Sequence, residues 1–286
     1  MIDIETRMIT LLGTPLSQSF AARMMNKAYA EANINLCYFY SEVDNEHLCE
    51  VVNGLRYLSF AGFAVTKPNK IKVMEYLDEY DPLCKKMGSC NTVKITPDNK
   101  LIGYNTDGVG FYKTITLEAG INVEESTFFL IGAGGVGRAI ASILAYHNAK
   151  KIYLTDIVPE MSEELFQSIV SNFGGAIEVV PFGDFSPVEE ADVIVNGTGI
   201  GMGETIGQTP LPKEHVLPGK LYFDACYNPA ETQFLINAKE AGCPIINGLS
   251  MTMYQGAAQI EIWTGKEAPV EIMRQELLDI MAEKEA

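Results

Sequence analysis

Apolar and polar positions along this chain switch repeatedly between two spacings. Short apolar runs at residues 8–13, 37–43, 60–66 and 101–105 read as strands, and residues 21–33 and 45–57 between them carry the wider spacing of helices. Such alternation makes an α/β domain. A second series of strands begins at Thr127-Phe-Phe-Leu-Ile131 and continues at 151–156, 178–180, 192–196 and 221–224. Residues 250–263 and 269–282 then return to helical spacing and are expected to pack back on the first domain. The pattern predicts an α/β protein of two domains, residues 1–107 with 249–286 and residues 108–248, with the active site in the cleft between them.

The strand at 127–131 runs straight into Gly132-Ala133-Gly134-Gly135-Val136-Gly137 and then a helical stretch. A G-x-G-x-x-G between a strand and a helix is a dinucleotide fingerprint. The glycines turn the chain and admit a pyrophosphate, which the helix N-terminus holds. The second strand, Lys151-Ile-Tyr-Leu-Thr-Asp156, ends in an acid about 20 residues past Gly137, where such units bind the adenosine ribose. The second domain therefore reads as a Rossmann-type NAD-binding domain. Asp156 is followed by Ile-Val-Pro-Glu, with no cation to meet a 2′-phosphate, so NAD is favoured over NADP. Read alone, Asp156 is also a cap for the following helix.

At 286 residues two domains are the ordinary expectation. A net charge of −16 repels nucleic acid and anionic membranes, and neither is expected as a partner. The opening Met-Ile-Asp-Ile-Glu lacks a signal-peptide pattern and no run is long enough to span a membrane, which predicts a cytoplasmic protein; a homodimer is left open. The six cysteines show no Cys-x-x-Cys spacing, so neither disulfides nor a metal is expected. His47, His147 and His215 all lie away from the glycine motif, which leaves lysine and aspartate to handle a hydroxyl proton.

Several further segments have a family look. In chain order, Gly13-Thr-Pro15-Leu-Ser-Gln-Ser19, Val65-Thr66-Lys-Pro68-Asn-Lys70, Asn91-Thr92, Gly103-Tyr-Asn-Thr-Asp107-Gly108, the glycine motif, Asn196-Gly-Thr198-Gly-Ile-Gly-Met202, Asp224-Ala-Cys-Tyr227-Asn-Pro229 and Tyr254-Gln255-Gly256-Ala257 resemble the shikimate dehydrogenase family over nearly the whole chain. Pro68-Asn69-Lys70, Gln255-Gly-Ala-Ala-Gln-Ile-Glu-Ile-Trp and Asp156 look most like its quinate/shikimate dehydrogenase branch.

The resemblance implies a role in aromatic amino acid biosynthesis, through hydride transfer between NAD and the C3 hydroxyl of quinate or shikimate. It implies Lys70 and Asp107 as the catalytic pair. Without it, Lys70 could not be chosen over Lys67 or Lys72. It assigns substrate contacts to Ser19, Thr66, Asn91, Tyr227 and Gln255, whose hydroxyls and amides suit a hydroxyl-rich ligand. Cofactor contacts fall on Gly132, Ala133, Gly134, Gly135, Val136, Asp156, Asn196, Thr198, Ala225, Cys226 and Gly248.

Two positions depart from the family pattern. Ala21 stands where a second serine completes a carboxylate clamp with Ser19, and Ala64 where an asparagine precedes Val-Thr. Ser17 copies the serine spacing two residues early. Loss of a hydrogen bond to a charged group costs about 1.5–3 kcal/mol, so Ala21 leaves open another hydroxylated ring carboxylate as substrate. A non-catalytic NAD-binding regulator on the same scaffold is the remaining alternative.

Overall fold

The computed structural model describes residues 2–17 and 19–285. The chain folds into two compact units, Met1–Gly110 with Thr252–Ala286, and Phe111–Met251. In the first, β1 (Arg7–Gly13), α1 (Ala21–Glu31), β2 (Leu36–Glu42), α2 (Leu48–Leu55) and β3 (Phe60–Val65) form parallel β-α-β steps; β4 (Glu79–Tyr80), α3 (Pro82–Met87), β5 (Thr92–Ile95) and β6 (Leu101–Tyr104) follow. The sheet order is β2-β1-β3-β5-β6-β4, with β1 parallel to β2 and β3, and β5 antiparallel to β3 and β6. β1 and β3 are buried along most of their length because they lie inside the sheet.

Side chains close the exposed ends of this unit. The Asn26 amide donates to Tyr38 O (2.9 Å) and accepts from Tyr38 N (2.8 Å), occupying backbone groups on the outer edge of β2 that would otherwise be open. Asp81 accepts from Leu83 N and Cys84 N at the start of α3, and Gly88, at φ +64°, ends it.

α4 (Asp107–Lys113) follows β6, and the second unit then places β7 (Thr127–Ile131), α5 (Gly135–Tyr146), β8 (Lys151–Thr155), α6 (Pro159–Asn172), β9 (Ile177–Val179), β10 (Val193–Asn196), β11 (Leu221–Asp224), α7 (Gln233–Glu240) and β12 (Ile245–Ile246). Its six strands are all parallel in the order β12-β11-β10-β7-β8-β9, the doubly wound arrangement of a Rossmann-like domain. The order reverses between β7 and β10, so the loops after Ile131 and Asn196, which are register partners, stand side by side where such sheets bind nucleotides.

α8 (Leu249–Thr264) and α9 (Val270–Glu285) bring the chain back to the first unit. Gly256 lets α8 lie close on α1, since a Cβ there would sit 2.7 Å from Met24 Cε. Trp263 donates its indole N–H to Val93 O (3.0 Å) beside Gly62 of β3, and Arg23 of α1 pairs with Glu276 (2.5 Å) and Glu283 of α9. Among the described residues no helix is long and apolar enough to cross a membrane.

Candidate active site

In the first unit, Lys70 stands just past the Lys67–Pro68 bond, and its carbonyl accepts from Cys90 N (2.8 Å), which ties the Lys70 loop to the start of β5. Lys70 Nζ donates to Asp107 Oδ2 at 2.6 Å. Both side chains are largely withdrawn from water, at 15% and 12% exposure, so the pair is screened less than a surface ion pair. Asp107 Oδ1 accepts from Asn91 Nδ2 (2.8 Å), and the Asp107 backbone N–H donates to Asn105 Oδ1 (3.1 Å).

Asn91 is the hub of this group. Its Nδ2 also reaches Thr106 Oγ1 (2.9 Å) and Gln255 Oε1 (3.4 Å), while its Oδ1 accepts from Thr106 N (2.8 Å) and Thr92 Oγ1 (2.8 Å). The structure thus brings together Lys70, Asp107, Asn91 and Gln255 of the residues singled out from sequence. Thr106, inside a recognised motif, was not singled out, and its place directly before Asp107 was the available signal.

Thr66 lies against Gly13, where a Cβ would be 2.4 Å from Thr66 Cγ2, and Thr14 N donates to Lys67 O (3.1 Å). These contacts hold the loop carrying Ser17 and Ser19 against the Thr66–Lys67 turn. Ser19 Oγ accepts from Ala21 N (3.3 Å) at the start of α1, and the Tyr40 hydroxyl donates to Ser19 O (2.8 Å). Ala64 is buried within β3.

In the second unit the glycines divide by function. Gly132 has φ +110°, and a Cβ on Gly137 would sit 1.9 Å from Gly132 O; these two let the loop fold against the helix. At Gly134 and Gly135 a Cβ would meet nothing within 4 Å. α5 begins there without a side-chain cap, so the N-terminal turn through Val136 presents open space and backbone N–H groups suited to a pyrophosphate.

Beside it lies a cleft of about 360 Å³ lined by Gly132, Gly134, Asp156, Met161, Phe182 and Thr198 among others, with no lysine or arginine in its lining. The cradle and cleft fit a dinucleotide. Asp156 follows β8 and spends both carboxylate oxygens on backbone: Oδ2 accepts from Ala133 N (2.7 Å) and Oδ1 from Val158 N (2.9 Å). It therefore fixes the glycine loop and the turn that leads into α6, a helix without a side-chain cap of its own.

The remaining sequence-selected residues of this unit cluster at the ends of β10 and β11. Asn196 Oδ1 accepts from Thr198 N (3.1 Å) and Oγ1 (2.7 Å), Ala225 N donates to Asn196 O (2.9 Å), and Gly248 N donates to Cys226 O (2.9 Å). A Cβ on Gly248 would meet Ala225 O at 2.1 Å. Behind them is Asp224, which sequence reasoning passed over as a site residue. It is fully buried and accepts from Asn196 Nδ2 (2.9 Å), Cys226 N (2.9 Å) and Thr232 Oγ1 (2.5 Å). Burial raises its pKa and the three donors oppose the rise; burial also pushes the Cys226 thiol up. Tyr227 is half-buried beside them.

Comparison with known proteins matches residues 11–93 to the shikimate dehydrogenase substrate binding domain and residues 248–278 to the shikimate 5′-dehydrogenase C-terminal domain. The shikimate dehydrogenase (NADP(+)) of Moorella thermoacetica is 38% identical over 283 residues, covering 98% of this chain and 95% of that protein. The crystal structure of shikimate 5-dehydrogenase from Listeria monocytogenes in complex with shikimate and NAD superposes with a TM-score of 0.90 at 32% identity, covering 96% of this chain and 98% of that one. Quinate dehydrogenase from Corynebacterium glutamicum in complex with NAD gives 0.89 at 27% identity, covering 96% and 99%. With the paired Lys70 and Asp107 in one unit and a dinucleotide cradle in the other, the chain belongs to the shikimate dehydrogenase family of pyridine-nucleotide oxidoreductases.

Proposed function

We propose that this protein interconverts shikimate or quinate and the corresponding 3-dehydro acid, with NAD as the preferred partner. The observation that carries the reading is the Lys70–Asp107 pair at 2.6 Å, held by Asn91 in a partly water-excluded group of hydroxyls and amides. A bound nicotinamide supplies the hydride acceptor. The chain's own task is then the hydroxyl proton: Lys70 Nζ takes it from the C3 hydroxyl while its own proton passes to Asp107 Oδ2, and the reverse transfer serves reduction. Ser19, Thr66, Asn91, Gln255 and Tyr227 are the proposed substrate contacts.

The preference for NAD rests on Asp156 and on the absence of a cation from the lining of the adjacent cleft, although the Moorella relative is named for NADP(+). A carboxylate at that place disfavours a 2′-phosphate by like-charge repulsion. Ala21 favours a second reading, the same chemistry on another hydroxylated ring carboxylate that needs one hydroxyl fewer.

The test is initial-rate nicotinamide reduction with shikimate and with quinate, each with NAD and NADP. Turnover with NAD on either acid supports the reading, and turnover with NADP alone overturns the cofactor assignment. Tight NAD binding without turnover on either acid shifts weight to the second reading.

A further inference from the structure

Behind the Lys70–Asp107 pair runs a line of buried polar groups that reaches α8. Gln259 is 3% exposed, and its Nε2 donates to Thr92 Oγ1 (2.9 Å). Thr92 is fully buried, and its hydroxyl donates to Asn91 Oδ1 (2.8 Å). Asn91 Nδ2 in turn donates to Asp107 Oδ1 (2.8 Å), which leaves Oδ2 to Lys70.

The directions of these bonds are set by chemistry. The Gln259 N–H occupies a lone pair on Thr92 Oγ1, and the single hydroxyl hydrogen goes to Asn91 Oδ1 at 2.8 Å, the shorter of its two acceptors, the other being Thr106 Oγ1 at 3.4 Å. Asn91 Oδ1 then receives Thr92 O–H and Thr106 N–H together. Flipping the Asn91 amide would face its NH₂ with two donors and its oxygen with the Asp107 carboxylate, so the amide has one stable orientation.

We infer that Gln259 and Thr92 are positioning residues for the reaction: through the Asn91 amide they hold Asp107 Oδ1, so that Oδ2 alone presents to Lys70. The inference rests on the reading of Lys70 and Asp107 given above. Neither Gln259 nor Thr92 is placed against the substrate; they act through Asn91.

The test compares Thr92→Val, Thr92→Ser and Gln259→Leu with the wild type, and uses Lys70→Met as a control. With whichever of shikimate or quinate is turned over, Thr92→Val and Gln259→Leu should each lower kcat about three- to tenfold, the scale of one neutral hydrogen bond. KM for the dinucleotide should stay unchanged. Thr92→Ser, which restores the hydroxyl without the methyl group, should recover kcat to within about twofold. Because both residues act along one line, the double variant should lose little more than the worse single variant.

Unchanged kcat in both variants, with turnover abolished in Lys70→Met, overturns the positioning role and leaves the catalytic reading standing. Full turnover in Lys70→Met overturns both. A kcat loss that follows the melting temperature and is not rescued by serine reduces the two residues to packing and also overturns the inference. Should the wild type turn over neither acid, the readout becomes hydrogen exchange of the Asn91 side-chain amide by ¹⁵N NMR. Faster exchange in Thr92→Val upholds the line of bonds, and equal protection overturns it.

Discussion

Gly135 and Gly137 allow one added methyl group to separate cofactor binding from folding. A Cβ on Gly135 meets nothing within 4 Å, and as the first residue of α5 it gains helix propensity of at most about 1 kcal/mol. Gly135→Ala should therefore melt at or slightly above the wild-type temperature. If the open space at this turn receives the pyrophosphate, the same methyl blocks it. Losing even one hydrogen bond to a charged group costs about 1.5–3 kcal/mol, or roughly ten- to a hundredfold in Kd.

Gly137 gives the opposite result. Its Cβ would lie 1.9 Å from Gly132 O, more than an ångström inside any normal contact, and the atom it meets is backbone. Overpacking of this kind costs about 1–3 kcal/mol, which at about 2–4 °C per kcal/mol lowers the melting temperature by roughly 2–12 °C. Thermal melts alongside NADH fluorescence titrations measure both variants. A Gly135→Ala protein that binds NADH within twofold of wild type would refute the cradle assignment. A Gly137→Ala protein of unchanged stability would refute the packing argument.

Three other outcomes are expected. Asp156→Ser with Ile157→Arg keeps an acceptor for Val158 N–H and supplies a cation, so the kcat/KM ratio should move at least tenfold toward NADP in steady-state assays. Trp263→Phe removes the bond to Val93 O and part of the packing on Gly62, which should destabilise the first unit by about 1–3 kcal/mol in urea unfolding. Burial lowers the His147 pKa below 6.5, so the folded state resists a proton that the unfolded state accepts. Stability from this group is present above that pH and is lost as the pH falls below 6.5; melts of wild type and His147→Gln between pH 7.5 and 5 should converge toward the acid end.

The second unit was the more legible in sequence because buried parallel strands are written as continuous apolar runs. Residues 221–224 and 127–131 stand out on that ground alone. β5 escaped notice: Thr-Val-Lys-Ile is one short alternation beside a motif, and its strand character comes from pairing with β3 and β6. β4 and β12 are two residues each and carry no period at all. In the site, the family resemblance singled out Lys70 and Asp107. It did not single out Thr92 and Gln259, which meet across 167 positions of chain, a pairing no local pattern encodes. Asp224 was missed for a related reason, since an acid at a strand end looks solvated until the fold closes over it.

The order of synthesis meets an obstacle in the way the first unit is assembled. Residues 252–286 supply the helices that seat against α1 and β3, yet they are translated only after the whole of Phe111–Met251. At ribosomal rates of about 5–20 residues per second, roughly 10–30 s pass before the sheet of the first unit receives its missing layer. During that interval the surface around Met24 and Gly62 is uncovered on the nascent chain. The second unit, contiguous in sequence, has no such wait. The half carrying Lys70 and Asp107 thus cannot be completed until the nucleotide half has been made.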